Sequence, residues 1–435
     1  MLGAPVFRTA LFGPWSGNAL WTAARAVPSL DLCFADKKDL ICASSGRQLV
    51  TFARASSGTY TDSAGVLQTA ATDVPRFDHN PLTGESLGLL VEEQRTNLLL
   101  QSNAFTTHWS SVANTLTSAS AVSPDGTTIG WRFADTAANN THNIFQTIAW
   151  TAVATTFTVY AKYDTHRWIG ARIGNTGNQF FGSWDLQNGV VGSFTAGATI
   201  GMQAVGNGWY RLTLTATLTS AGSANVLLYL NNADSASAIT YAGTGTGSYI
   251  YGAQLEAGAT ASSYIPTTTA AATRNADVAS ITGTNFSSWY RQDEGTVYAE
   301  ALTQEYTVTT FPRVFSIDNG GAASSFIALV RGSNTRRWDY SVFANGTGQA
   351  VGLNNGISPS AGAVCRGAVI YRANDFTGAT QGVLMNADTS GSVPTVNALG
   401  IGMQSNATLQ FNGHIRRLVF WRQALPGQLQ AITQP

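Results

Sequence analysis

Asn207-Gly-Trp-Tyr-Arg211, followed by Tyr249-Ile-Tyr-Gly-Ala-Gln-Leu-Glu256 and Ser263-Tyr-Ile-Pro-Thr267, decides the fold. These are short alternating runs, each bounded by Gly, Asn or Pro, the pattern of the closing strands of a β-sandwich. The same period of two extends upstream. Phe157, Val159 and Ala161 fall on one face of a strand, with Thr158, Tyr160 and Lys162 on the other. Ile169, Ala171 and Ile173 repeat the pattern and leave Trp168 and Arg172 opposite, while Tyr210, Leu212, Leu214, Ala216 and Leu218 form one apolar stripe. Residues 101–275 therefore read as a jelly-roll sandwich.

Beyond the Thr/Ala-rich segment Pro266–Ala272, a second sandwich is expected over 276–435. Its strands include Gly295–Glu300, Phe326–Val330, Trp338–Phe343, Ala368–Tyr371 and His414–Trp421. In outline it is similar to concanavalin-like and laminin-G-like sandwiches. Arg416-Arg417 leaves the phase of the last strand open. A short C-terminal helix should follow Pro426, with Leu429 and Ile432 on one face. Residues 1–100 read as a β-rich attachment and oligomerisation module, with turns at Asp62–Gly65 and Asn80–Gly84. Its first 28 residues, which include Trp15 and Trp21, are irregular. The module's apolar content is too small to stand alone, so it should pack on a neighbour or another subunit. The expected class is all-β, in three parts.

Composition agrees. Of 435 residues, 44 are Gly and only 11% are charged, against roughly 25% charged in an average soluble domain. Twenty-four basic residues balance 24 acidic ones, which argues against nucleic acid as a partner. Nearly all the basic residues are Arg, which suits planar interfacial contacts. No run approaches the ~20 apolar residues of a membrane span, so no membrane insertion is expected. Pro14, Gly13 and Gly17 interrupt any secretion signal, and release by lysis or within an assembly is the expected route out of a cell. Cys33, Cys42 and Cys365 show no metal spacing and read as free buried thiols.

Several motifs recur in one order: Arg54-Ala-Ser-Ser-Gly-Thr-Tyr60, Gly65-Val-Leu-Gln68, Pro75-Arg-Phe-Asp78, Gly88-Leu-Leu-Val-Glu-Glu-Gln-Arg-Thr-Asn-Leu98 and the closing runs quoted above. Over residues 30–275 the chain resembles virion proteins of tailed bacteriophages and gene-transfer particles, the head-spike and tail-fibre type. Relatives often carry Trp at the position of Tyr251. The resemblance implies a virion appendage that is trimeric or otherwise oligomeric. It would contact other virion proteins through the N-terminal region and bind cell-surface polysaccharide, with avidity supplied by many copies. A purely structural capsid decoration and a polysaccharide depolymerase are the alternatives.

Sugar binding needs flat aromatic faces and planar polar groups. On the first sandwich Tyr160, Lys162, Trp168, Arg172, Trp184 and Asp185 are the candidates, and on the second Trp338 with Asp339, beside Arg336-Arg337. Trp209 and Arg211 read as structural closure. A structural calcium ion is the one cofactor considered, with Glu256, Asp125 and Asp318, beside Asn319, as candidate ligands. No catalytic residues are assigned. Glycoside hydrolysis needs two facing carboxylates. Glu300 and Glu305 point apart on an unbroken strand, Glu92 and Glu93 diverge, and no Gly-x-Ser-x-Gly occurs.

Overall fold

The computed structural model describes residues 17–119, 121–127, 130–175, 177–302, 310–320, 324–333 and 335–435. Trp15 and Glu305 lie outside them. The fold is all-β and antiparallel, and the described residues form two compact units, 52–278 and 17–51 with 279–302 and 310–435. The first hundred residues thus divide at about position 52 between the two.

The first unit is a jelly roll. One six-stranded sheet runs Ser110–Val112, His142–Trp150, Gly222–Asn231, Trp168–Asn175, Asn178–Asp185, Val190–Phe194. The other runs Asn114–Ala119, Gly130–Asp135, Gly247–Ala257, Ala154–Tyr163, Trp209–Thr217, Thr199–Ala204. Gly130–Asp135, Gly247–Ala257, Ala154–Tyr163 and Trp209–Thr217 form the centre of one sheet and His142–Trp150, Gly222–Asn231, Trp168–Asn175 and Asn178–Asp185 that of the other, the strand order of a double Greek key. The expected stripes meet between them: Phe157, Val159, Ala161, Ile169, Ala171, Ile173, Leu212, Leu214, Ala216 and Leu218 share one core. Asn207 and Gly208, both at positive φ, turn the chain into the strand that begins at Trp209.

Residues 52–100 pack on this sandwich by a different device, a buried charge network. Arg54 and Arg76 share the carboxylate of Asp277, Arg54 at 3.1 Å and Arg76 closer. Arg76 also meets Glu92 at 2.8 Å, and Arg274 reaches the same two acids at 3.5 and 3.9 Å. All five residues are buried. Gly58 permits the arrangement, since a Cβ there would lie 3.0 Å from Arg54 Nε and 3.2 Å from Arg76 Cδ. The closing motif completes it: Ser263 donates to Glu92 through N–H at 2.8 Å and Oγ at 2.7 Å. Four of the quoted segments, those holding Arg54, Arg76, Glu92 and Ser263, therefore meet in one network.

Burial alone would raise the Glu92 carboxyl, but the Arg274 and Arg76 guanidiniums and the two Ser263 bonds outweigh it and hold it far below the usual carboxylate range. A depressed folded-state value contributes stability above the unfolded value and loses it as pH falls. We expect the jelly-roll unit to lose stability progressively once pH drops below about 4.3, the unperturbed glutamate value. Denaturation midpoints measured from pH 7 to 3 check this, and Glu92→Gln should flatten that limb.

In the second unit one sheet runs Arg47–Gln48, Ile41–Cys42, Leu30–Leu32, Gly413–Trp421, Glu294–Leu302, Val364–Arg372, Asp375–Thr380, Val383–Leu384. The facing sheet runs Thr347–Leu353, Trp338–Ala344, Phe326–Arg331, Arg313–Asp318, Ala398–Ile401, Val278–Thr282. The Tyr340 hydroxyl crosses between them to donate to Ile370 O at 2.9 Å. The outer face of the first sheet holds Tyr298, Ile370, Val419 and Trp421, covered by the helices Gly17–Ala24 and Leu429–Ile432. The phase left open by Arg416-Arg417 is settled by a β-bulge: Glu300 pairs with Arg417, but Ala301 pairs with Ile415. Arg417 then joins Val419 and Trp421 on the outer face, bonding Asp31 at 2.9 and 2.6 Å, while Arg416 reaches Glu300 at 2.9 Å. Cys33, Cys42 and Cys365 are free and buried.

Candidate functional site

A concavity of about 720 Å³ in the second unit opens where the Arg313–Asp318, Ala398–Ile401 and Val278–Thr282 strands end. Thr282, Phe286, Ser287, Tyr290 and Gln292 line it from one stretch of chain, and Asn319, Gly320, Asn397 and Ser405 from three others. Among the described residues, no charged side chain lines it.

Each part is held by its neighbours. Phe286 lies on the short helix Gly283–Ser287 and is buried against Trp289 (5.0 Å between ring centroids) and Tyr290 (4.6 Å). Tyr290 in turn stacks on Tyr371 at 6.0 Å, so its half-buried ring is fixed from behind. Gln292 is pinned by donating Nε2 to Pro394 O at 2.7 Å. The polar rim is organised by Asp318, which is fully buried. Its carboxylate accepts from Ser316 Oγ at 2.9 Å, Gly320 N–H at 2.9 Å, Ser405 N–H at 3.1 Å and Ser405 Oγ. Its carbonyl accepts from Asn397 N–H at 2.9 Å. Asp318 thus ties the three rim segments together, those of Gly320 and Ser405 through its carboxylate and that of Asn397 through its carbonyl. The side-chain amides of Asn319 and Asn397 have no hydrogen-bond partner among the described residues, and both residues are exposed. The site offers rigid rings beside free planar amides and hydroxyls, with no ionised group in its wall.

The sequence-derived candidates are placed elsewhere. Trp184 is fully buried in the jelly-roll core and donates Nε1–H to Gly201 O at 2.9 Å, so it is not on a surface. Register explains this: Trp184 lies opposite Ile169, a core residue, whereas Asp185 lies opposite Trp168. Adjacent residues of a strand face opposite ways, so Trp184 and Asp185 do not share a face. Trp168 is partly exposed, with the Arg167 guanidinium 5.0 Å from its ring, and Arg167 is paired with a buried Asp185 at 2.6 Å. Arg172 is partly exposed beside Phe181. Tyr160 does face away from the main core, but that face is covered. It packs with Trp209, Tyr251 and Tyr264 and is 5% exposed, while Lys162 at the strand end is half-buried. Trp338 and Asp339 are split by the same alternation. Trp338 is buried toward Gly367 of the facing sheet, and Asp339 is buried and bonded by Arg337 at 2.6 Å.

The calcium candidates do not converge, and no group of three or more metal-ligating His, Cys, Asp or Glu occurs among the described residues. Asp125 accepts from Ser123 and Tyr251, and Glu256 from Ser262 and Gln254. Asp318 is the rim organiser above. The glycine-rich loop 243–247 does cradle an anion, but it is the chain's own: Asp135 accepts from Thr244 N–H at 3.0 Å and Gly245 N–H at 2.7 Å. Glu300 is engaged by Arg366 and Arg416. The cleft itself was missed because its lining comes from separated segments of common residue types. Asp318-Asn319-Gly320, an acid and amide in a turn at a strand end, was its one sequence cue.

No family model matches the chain, and no curated protein matches it. Solved structures share its β-sandwich character. The sialidase CBM40 of Ruminococcus gnavus bound to α2,3-sialyllactose is 14% identical, over 33% of this chain and 84% of its own, with a TM-score of 0.29. Domain 4 of AbnA, a GH43 extracellular arabinanase of Geobacillus stearothermophilus, in complex with arabinotriose, is 14% identical over 40% and 82%, TM-score 0.29. Mouse laminin α1 domains LG4-5 are 12% identical over 65% and 85%, TM-score 0.22. Likenesses at these scores carry no argument about ligand.

Proposed function

We propose that the protein binds glycan without cleaving it, as a surface-displayed appendage of a tailed-phage-like particle, assembled in the host and oligomeric. The cleft of the second unit carries the binding part of this reading. It combines fixed aromatic rings with exposed Asn319 and Asn397 amides that have no hydrogen-bond partner among the described residues, the pairing that sugars need for their C–H faces and hydroxyls. Its described lining residues supply no carboxylate, whereas hydrolysis requires a facing pair. The appendage part rests on the motif resemblance over residues 30–275. A second reading, structural decoration, draws on Val190, Val191 and Phe194, about half exposed on an edge strand of the jelly roll.

An array of bacterial capsular and lipopolysaccharide glycans, probed with the intact protein, tests the reading. We expect retention on at least one glycan and no release of reducing ends. Asn319→Ala combined with Asn397→Ala should abolish that retention while leaving melting within about 1 kcal/mol of wild type, since both side chains are exposed. Absence of retention on every glycan, with tight capture by phage capsids, would favour decoration instead.

A further inference from the structure

We propose that this cleft selects uncharged saccharides and rejects acidic ones, an inference that rests on the glycan-binding reading above. A ligand carboxylate or sulfate entering the cleft loses water and recovers that cost only if a cation meets it. None of the lining residues is cationic. The arginines beside its lining segments are engaged elsewhere, Arg422 by donating to Trp289 O at 2.9 Å and to Ser288 O at 2.5 Å. Arg291, between Tyr290 and Gln292, is held by Asp293 at 2.6 Å and Glu294 at 2.9 Å. Arg313, whose charge acts on Asp318, is 7% exposed with its guanidinium stacked 4.5 Å from the Phe326 ring. The wall instead has a carboxylate behind it, since Asp318 stands directly under the Asn319–Gly320 rim.

Neutral hydroxyls fit what is left. The Asn319 and Asn397 amides each present donors and an acceptor in one plane, and Ser287 and Thr282 add hydroxyls. A hydroxymethyl group can exchange its water for these partners at little cost, whereas the same carbon oxidised to carboxylate cannot. Selectivity here comes from what the cleft withholds from the wrong ligand.

The test compares matched ligands on the full-length protein. Oligosaccharides of neutral galactan, mannan and glucan are titrated beside the same chains oxidised at C6 to uronates, with sialyllactose as a separate acidic probe. For whichever neutral chain binds, we expect the uronate form to bind at least ~10-fold more weakly, at both low and high salt. Asn397→Ala should weaken the neutral chain, with melting unchanged. Equal or tighter binding of the uronate or of sialyllactose overturns the selectivity and leaves glycan binding standing. An unchanged neutral affinity in Asn397→Ala overturns the assignment to this cleft. Failure of every neutral and acidic probe, extended to the bacterial glycan array, overturns the glycan-binding reading itself.

Discussion

Asp277→Ala is expected to destabilise the jelly-roll unit by about 3–5 kcal/mol, the cost of leaving buried charge without its partner. Arg54, Arg76 and Arg274 all turn toward this carboxylate, and none of the three is more than 1% exposed. Removing it leaves Glu92, already bonded by Ser263, as the sole acid for two of them, and Arg54 with backbone carbonyls alone. Asp277 also accepts the Glu92 N–H at 2.9 Å, so a backbone donor is orphaned as well. Asp277→Asn separates the terms, because it keeps the volume and one acceptor but removes the charge. Urea denaturation should rank wild type above Asn above Ala. A loss below ~1 kcal/mol for Ala, the scale of an exposed pair, would show that the network does not hold residues 52–100 in place.

Trp184→Ala should cost about 3–5 kcal/mol by the cavity it opens. The indole is fully buried among Ile169, Ile200 and their neighbours, and Gly182 leaves it room: a Cβ there would lie 3.1 Å from the ring. Its Nε1–H bond to Gly201 O ties the two sheets together, since Gly201 belongs to the other one. The same substitution in a surface platform would leave stability nearly unchanged and remove binding. Calorimetry and glycan titration on one sample therefore discriminate: a large fall in melting temperature with affinity kept below the transition agrees with a core role. The opposite pattern would restore Trp184 as a ligand contact.

The sheets were legible because one face of each strand is buried. Leu212, Leu214 and Ala216 have no other place to go, and their spacing reports it. Alternation also reveals why Trp184 and Trp338 were misplaced. Each was grouped with the acid that follows it, although neighbours in a strand face opposite ways. Tyr160 was given the correct side, but its cover is Tyr251 and Tyr264, about a hundred residues downstream. Arg54 and Asp277 are 223 residues apart, and no local pattern announces that they meet. The bulge at Arg416 is similar: the ambiguity was visible, but its resolution depends on pairing with Glu300 and Ala301. The cleft was least visible of all. Asn, Ser and Gly are ordinary loop residues until topology brings the ends of three strands together.

The most direct test of the glycan cleft is hydrogen–deuterium exchange of the full chain with and without a glycan it retains. Slowed exchange confined to residues 282–292, 316–320 and 396–405 is the predicted result. Slowing that spares those stretches and falls instead on 168–172 and 181–194 would contradict it and move the site to the outer face of the jelly roll.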